Sequence, residues 1–583
     1  MPHEIQVVME RINNYVNIFS IIGIFAAIGI ILYLLLKKTN KWERLLLGVI
    51  FISSGLMRFI FGSFAPWRQH DHHVDILMNL KNNLSETGLF SITEYYHASG
   101  GLFEMFYDIP LQILGEFNVY TVYYTSLAIH LIAGLLVFKL ALALFKKKEV
   151  AFISYLMFAF LPILIDVSAT ELLFHINVLT VLLFSVYGLH LFKKIKSGTD
   201  KWWDYAILSA LFASNLMGRT EYLMIFLGVI FIFALFLIAT SSKIRKIILT
   251  NKKVQLFTTF SGVLILFAFF NYLLPTIMSP GEFSYRWGNF IEFRHYLNSL
   301  RYTSYNIPSY GLFLRSFFTP LYFFSLLLIA PIILILKKKW SLLLINFVSV
   351  LLLMFLMTPS LGEFRRAMPL LIFFIPQMGY GFYHLLSDLN LSAKNILILS
   401  SFIIILSTYQ NLEFLKMETA RKTEQELILE FMDEAPENSL VLTINNSKDY
   451  RYMQHGNSFD AHLVPGDKNI DVVDLYTEYN PEMLKDYDNL FYYRSLYSYH
   501  ESNWQELLEK HGDAYVVTNE SNMGPYEVSR KFEKNNSLKL IKKGSAPNRL
   551  TDTSTVSGYI NGTNGTILTD YDLLEIGFYR IEN

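Results

Sequence analysis

The chain has no cysteine among its 583 residues. This absence excludes disulfide bonds, thiolate metal sites and a cysteine nucleophile. Charge is also scarce: only 17% of the residues are charged, and the 49 basic and 49 acidic residues give a formal net charge of zero. Because no excess of basic residues attracts nucleic acid, we expect no nucleic-acid partner. The sequence also lacks internal repeats, a P-loop and a dinucleotide-binding fingerprint.

Apolar residues, by contrast, are abundant. Hydrophobic residues make up 53% of the chain and aromatic residues 16%. A soluble globular protein with this composition would have too few polar residues to cover its surface. The composition therefore predicts an integral membrane protein. The first apolar run, at about 15–36, is too long for a cleaved signal peptide, so we predict a retained helix there.

Long apolar runs recur along the first 410 residues. Each is close to the length of about 20 residues that crosses a bilayer as a helix. They predict about twelve transmembrane helices, at about 15–36, 43–62, 119–144, 150–167, 172–193, 203–217, 221–240, 254–275, 319–336, 341–358, 366–386 and 394–409.

Basic clusters fall in every second connection between these runs. The clusters occupy 37–44, 146–148, 193–196, 243–253 and 337–339. By the positive-inside rule these connections are cytoplasmic, which puts both termini and the longer loops outside. We therefore predict a multi-pass protein of the plasma membrane, or of the inner membrane in a bacterium with two membranes.

The composition becomes that of a soluble domain after about Gln410. Strands are predicted at 439–444 and 513–518, a helix at 504–510, and hairpins in the Gly, Thr and Asn-rich end. The predicted fold class is an α-helical polytopic membrane protein with a C-terminal soluble α/β domain. Its predicted parts are an extra transmembrane helix and cytoplasmic turn (1–42), a transmembrane catalytic domain (43–410) with a first outside loop (63–118), and an extracytoplasmic domain (411–583).

The first outside loop holds the densest group of polar residues. Asp71 lies there beside His70, His72 and His73, with Asp75 close behind. One interpretation makes Asp71 a helix N-cap at the membrane surface. The other makes Asp71 a general base or a ligand of a divalent cation, with its neighbours in support. If a metal binds, the predicted ligands are Asp71, His70 and His73.

Arginines are frequent at the predicted outer ends of the helices, although the positive-inside rule should deplete them there. Their forked guanidinium groups suit phosphate oxygens, so we predict that they bind a phosphate. An arginine at an outer helix end can also simply pair with a neighbouring acid such as Glu221. The arginines are Arg219, Arg286, Arg294, Arg301, Arg315, Arg365 and Arg366. Glu171 is either a further site residue or an acid at the positive end of a helix dipole.

Several short motifs follow one another over residues 43 to 410. Asp71 is an acid soon after a span, and His97 precedes aromatic residues and a Leu-rich segment. The further motifs are Leu144-Phe145-Lys146, Leu161-Pro162, Glu171, Arg219-Thr220-Glu221 and Phe364-Arg365-Arg366-Ala367-Met368-Pro369. In this order they resemble the GT-C superfamily of membrane glycosyltransferases, particularly the branch with protein O-mannosyltransferases and the lipid A aminoarabinose transferase. The chain departs from that pattern in having Asp71-His72 for an Asp-Glu pair, and Ala98-Ser99 for two prolines.

The resemblance implies a hexosyl- or pentosyltransferase that inverts configuration. Its donor would be a polyprenyl-phosphate sugar, and its acceptor a lipid, glycan or protein on the outer face. Asp71 would act as base or metal ligand, and the arginines would hold the lipid phosphate. Three alternatives remain: an O-antigen ligase or polymerase, a transporter or flippase of lipid-linked sugar, and a non-catalytic scaffold. Charges at outer helix ends rather than at mid-membrane argue against a transporter.

Overall fold

The computed structural model of the chain describes residues 3–61, 80, 102–115, 119–161, 164–165, 172–216, 238–239, 241–278, 329–356, 364–409, 431, 434–443, 470–475, 480–495, 531–547 and 573–582. Most of these residues are helical, and a small sheet lies near the C-terminus.

Most of the described helices follow the predicted apolar runs. The helices are α1 (His3–Lys38), α2 (Lys41–Phe61), α3 (Leu102–Leu114), α4 (Val119–Phe145), α5 (Lys148–Phe160), α6 (Leu172–Ser197), α7 (Trp202–Leu216), α8 (Ser242–Thr250), α9 (Lys252–Met278), α10 (Ala330–Leu336), α11 (Trp340–Leu356), α12 (Phe364–Ser387) and α13 (Ala393–Tyr409). Two of these helices, α3 and α8, lie outside the predicted runs. One predicted boundary is wrong. The run predicted at 150–167 is interrupted, because α5 ends at Phe160 and Pro162 follows.

Three helical segments are long and apolar enough to cross a membrane within the described part of the chain. They are Asn14–Lys38, Thr121–Phe145 and His175–Ser197, and Ala393–Tyr409 is a shorter apolar helix. The helical, membrane-associated class is thus confirmed in this coarser form. The count of about twelve spans and the domain boundaries stay predictions.

α5 is the centre of the helical core. It packs against α2, α4, α12 and α13, and every residue from Val150 to Phe160 is buried. Two glycines permit this packing. Gly134 of α4 lies against the ring of Tyr155, and Gly379 of α12 lies against Ser154, where a larger side chain would collide. Small residues at such contacts let helix backbones approach closely.

Ion pairs join the helices at the end predicted to be cytoplasmic. Asp204, at the start of α7, is fully buried and accepts hydrogen bonds from Lys194 Nζ (2.6 Å) and the Tyr187 hydroxyl (3.2 Å). Asp200 accepts a hydrogen bond from Lys253 Nζ (3.0 Å), which ties α9 to the same place. These contacts join α6, α7 and α9 at one end of the helices.

The C-terminal strands form one mixed sheet. Strand β1 (Ser439–Thr443) pairs in parallel with β2 (Ile470–Asp474) and with β3 (Asn489–Ser495). Strand β5 (Leu573–Glu582) pairs antiparallel with β3 and with β4 (Ser537–Pro547), so the order is β2-β1-β3-β5-β4. A short 3-10 helix (Pro481–Lys485) precedes β3.

The sheet agrees with part of the predicted α/β domain. The predicted strand at 439–444 is confirmed as β1. Its parallel partners require crossover connections, as expected of an α/β arrangement. Strands β4 and β5 pair antiparallel, and the Gly, Thr and Asn-rich stretch between them, where hairpins were predicted, lies outside the described residues. The helix predicted at 504–510 and the strand predicted at 513–518 lie outside the described residues.

Candidate functional site

The predicted catalytic residues of the first outside loop lie outside the described residues. This holds for Asp71 and for its neighbours His70, His72, His73 and Asp75. It holds equally for the other predicted residues His97, Glu171, Arg219, Glu221, Arg286, Arg294, Arg301 and Arg315. Their roles therefore stay predictions.

Arg365 and Arg366 lie in the first turn of α12, which begins at Phe364. Their side chains lie outside what the structure describes. The first turn of a helix is the positive end of its dipole, so it does not itself favour two cations. Their predicted role as phosphate ligands therefore stays a prediction.

The described structure contains a polar break in its most buried helix. α5 ends at Phe160, and Leu161 has an extended backbone. Pro162 has no N–H group, so the carbonyl of Phe158, four residues earlier, cannot make its usual helical hydrogen bond. Carbonyl groups that are left over at a buried helix end need other donors.

Side chains from two other helices supply those donors. Arg58, in the last turn of α2, donates from Nη1 to the carbonyl of Ala159 (2.6 Å) and from Nη2 to that of Phe158 (3.2 Å). Thr408, near the end of α13, donates from Oγ1 to the carbonyl of Phe160 (2.7 Å). The guanidinium also complements the negative end of the α5 dipole.

Two histidines lie beside this break. His130 of α4 stacks on the ring of Phe158, with 5.0 Å between the ring centroids. Its Nδ1 atom lies 3.2 Å from Nδ1 of His175 in α6, so one of the two rings must donate and the other accept. Both histidines and Arg58 are buried. We refer to Arg58, His130 and His175 as the buried basic cluster.

The buried basic cluster is incompletely satisfied within the described part of the chain. Arg58 Nε and His130 Nε2 are buried, and no described group bonds to them. Nη2 of Arg58 carries two hydrogens and has one described acceptor, Phe158. The Nε and Nη2 edge of a guanidinium can hold an oxyanion through two parallel hydrogen bonds. Capping of α5 thus uses one side of Arg58, and no described residue bonds to Nε on the other side.

The depth of the cluster is unusual for cations. Arg58 is in the last turn of α2 and His175 near the start of α6, which are the ends predicted to be outer. An ionisable side chain among membrane-spanning helices is costly, and it usually marks a substrate or ion pathway. Tyr155 of α5 is near enough to interact electrostatically with Arg58, and no described group bonds to its buried hydroxyl.

A buried carboxyl group lies in the described part of the first outside loop. Asp108 of α3 is almost completely buried, and Gln112 Nε2 donates to it at 3.3 Å. Burial raises the pKa of Asp108, and the hydrogen bond from Gln112 opposes this only in part. A carboxyl group with a raised pKa is a candidate for proton transfer, although a structural hydrogen-bonding role also fits.

Sequence reasoning missed the buried basic cluster and Asp108. All four residues lie inside apolar runs or apolar helices, whereas most of the predicted site residues lie in polar loops. One signal was available, because an ionisable residue inside an apolar run is a functional candidate by default. The helix break had a signal as well, in Pro162.

Metal binding rests on the sequence alone. No group of three or more His, Asp or Glu residues that could hold a metal ion occurs among the residues that the structure describes. The predicted ligands Asp71, His70 and His73 lie outside those residues. The divalent cation therefore stays a prediction.

No protein-family model matches the chain, and no curated protein is significantly similar to it in sequence.

Proposed function

We propose that the chain is a membrane glycosyltransferase that uses a polyprenyl-phosphate sugar. The acceptor is a lipid, glycan or protein at the outer face of the membrane, and transfer inverts the configuration at the anomeric carbon. About twelve membrane spans, with both termini outside, hold the site at the outer helix ends. Support for this comes from the order of motifs along residues 43 to 410 and from the alternation of the basic clusters.

The observation that carries the proposal is the buried basic cluster. Three basic side chains have been removed from water beside one broken helix end. A buried cation needs an anion to offset its lost hydration. The phosphate of a lipid-linked donor sits near the outer membrane surface, because its lipid tail occupies the bilayer. The open edge of Arg58 suits such a phosphate.

The reaction needs a base and a stabilised leaving group. Asp71 takes the proton of the acceptor hydroxyl as its oxygen attacks the anomeric carbon, and the bond to the lipid phosphate breaks with its electron pair on the phosphate. Arginine side chains stabilise the charge that develops on the leaving phosphate. The candidates are Arg58 together with Arg219, Arg286, Arg294, Arg365 and Arg366.

A flippase of lipid-linked sugar is the second candidate. The observation that favours it is the end of α5 at Phe160, inside the helical core. Helices that stop within the membrane are typical of transporters, where they line substrate paths. Such a protein would move the donor across the bilayer without breaking its sugar bond.

The test is transfer by the full-length protein in lipid nanodiscs. A panel of polyprenyl-phosphate sugars is offered with lipid, glycan and peptide acceptors, and the release of free polyprenyl phosphate is measured. We expect one donor to be cleaved, and Asp71→Asn to lower the rate at least about 100-fold, which is the usual contribution of a general base. The matched control is Asp388→Asn, which removes an exposed carboxylate at the opposite end of the helices.

One outcome would contradict the proposed transferase, and another would contradict only the role of Asp71. If no donor is cleaved, but labelled donor crosses the bilayer of proteoliposomes, the flippase is favoured. If a donor is cleaved and Asp71→Asn retains the rate of Asp388→Asn, the transferase stands and Asp71 is a helix cap.

A further inference from the structure

We propose that Thr408 is a positioning residue that links the end of α13 to the buried basic cluster. It acts through the carbonyl of Phe160, at the end of α5. The inference holds whether or not the chain transfers a sugar, because it rests only on how the end of α5 is fixed.

Thr408 lies between two helices. It is buried near the end of α13, and α13 packs against α5. The hydroxyl of Thr408 contacts two acceptors, the carbonyl of Ile404 in its own helix (3.0 Å) and the carbonyl of Phe160 (2.7 Å). Tyr409 ends α13, and the predicted C-terminal domain begins directly afterwards. Thr408 therefore joins the end of α13 to the end of α5.

Two side chains share the carbonyl groups at the end of α5. Three successive carbonyls end α5, and each accepts a hydrogen bond from outside that helix. Arg58 bonds to Phe158 and Ala159, and Thr408 bonds to Phe160. Loss of either donor removes the described hydrogen-bond partner of a carbonyl at the end of α5, which favours local opening.

The end of α5 contacts both the following turn and the buried basic cluster. Leu164 and Ile165 form a turn on the carbonyl of Leu161, immediately after the break. The ring of Phe158, in the same last turn, supports His130. Movement of Phe160 would therefore displace Phe158, which supports His130, and the turn at Leu164 and Ile165.

The test uses the absence of native cysteine. Leu164→Cys places one buried thiol beside the break, and its labelling by a water-soluble maleimide reports local opening. Thr408→Val removes the hydroxyl at nearly constant volume and should speed this labelling about tenfold. Thr408→Ser, which retains the donor, should restore slow labelling.

Two controls separate positioning from general loosening. Ser401→Ala removes a hydroxyl of α13 that bonds to Leu397 within that helix, and it should leave labelling at 164 unchanged. Ala213→Cys places a second buried reporter in α7, where Thr408→Val should have no effect. The proposal is overturned if Thr408→Val labels like Thr408→Ser at 164, or if it speeds labelling equally at 164 and 213.

Discussion

At the scale of single residues, the informative side chains are polar ones buried among apolar neighbours. Arg58 has a structural role as the cap of α5 and also an unused edge, and His130 has an unused nitrogen within the described structure. Neither feature could be read from the sequence, because burial and hydrogen-bond partners depend on which helices meet. The sequence did indicate the polar loop residues around Asp71, whose contacts lie outside the described residues.

Asp108 provides a test at this scale. Its pKa is raised from the ordinary value of 3.8 by burial, so folding favours the protonated form. The stability it confers is full below that value and is lost as the pH rises through the folded-state pKa. Asp108→Asn cannot ionise, so we expect it to be more stable than the wild type at pH 8, by about 1–3 kcal/mol. Near pH 4 the difference should vanish.

The measurement is the midpoint of thermal unfolding in detergent micelles between pH 4 and pH 8. Asp486→Asn, in the C-terminal part of the chain, serves as the control for removing any carboxylate. A stability gain for Asp108→Asn that does not change with pH would show that ionisation of Asp108 is not the cause.

At the scale of elements, the apolar runs predicted most described helices to within a few residues. The predicted run at 394–409, for example, corresponds to α13 (Ala393–Tyr409). The failure at 150–167 has a physical reason. A hydropathy window registers the apolar side chains around Pro162 but not its missing N–H group, so it runs through the break. Helix contacts through glycine were also beyond the sequence pattern, since they require both partners to be known.

The packing of α12 on α5 provides the test at the element scale. A Cβ atom at Gly379 would collide with Ser154, including its backbone. We therefore expect Gly379→Ala to destabilise the protein by roughly 1–3 kcal/mol through overpacking. Gly262→Ala in α9 is the matched control, because nothing lies near its Cβ position. Thermal unfolding of both variants in detergent measures the difference, and equal midpoints would contradict the described contact.

At the scale of the whole molecule, the proposed function requires the candidate site to face the outer side of the membrane. Composition and apolar runs were sufficient to predict a helical membrane protein and a C-terminal segment with strands. The orientation rests on the basic clusters at 37–44, 146–148, 193–196, 243–253 and 337–339. The described ion pairs of Asp200 and Asp204 with lysine, at the ends of α6, α7 and α9, lie where that prediction puts the cytoplasm.

The most direct test of the account is therefore to label single cysteines in intact cells, which the cysteine-free chain allows without background. Single variants Asp71→Cys and Asn583→Cys should react with a membrane-impermeant maleimide added outside. Lys147→Cys and Lys338→Cys should react only after the membrane is permeabilised. If Asp71→Cys is protected in intact cells while Lys147→Cys is labelled, the site faces the cytoplasm, and an outward-facing transferase is contradicted.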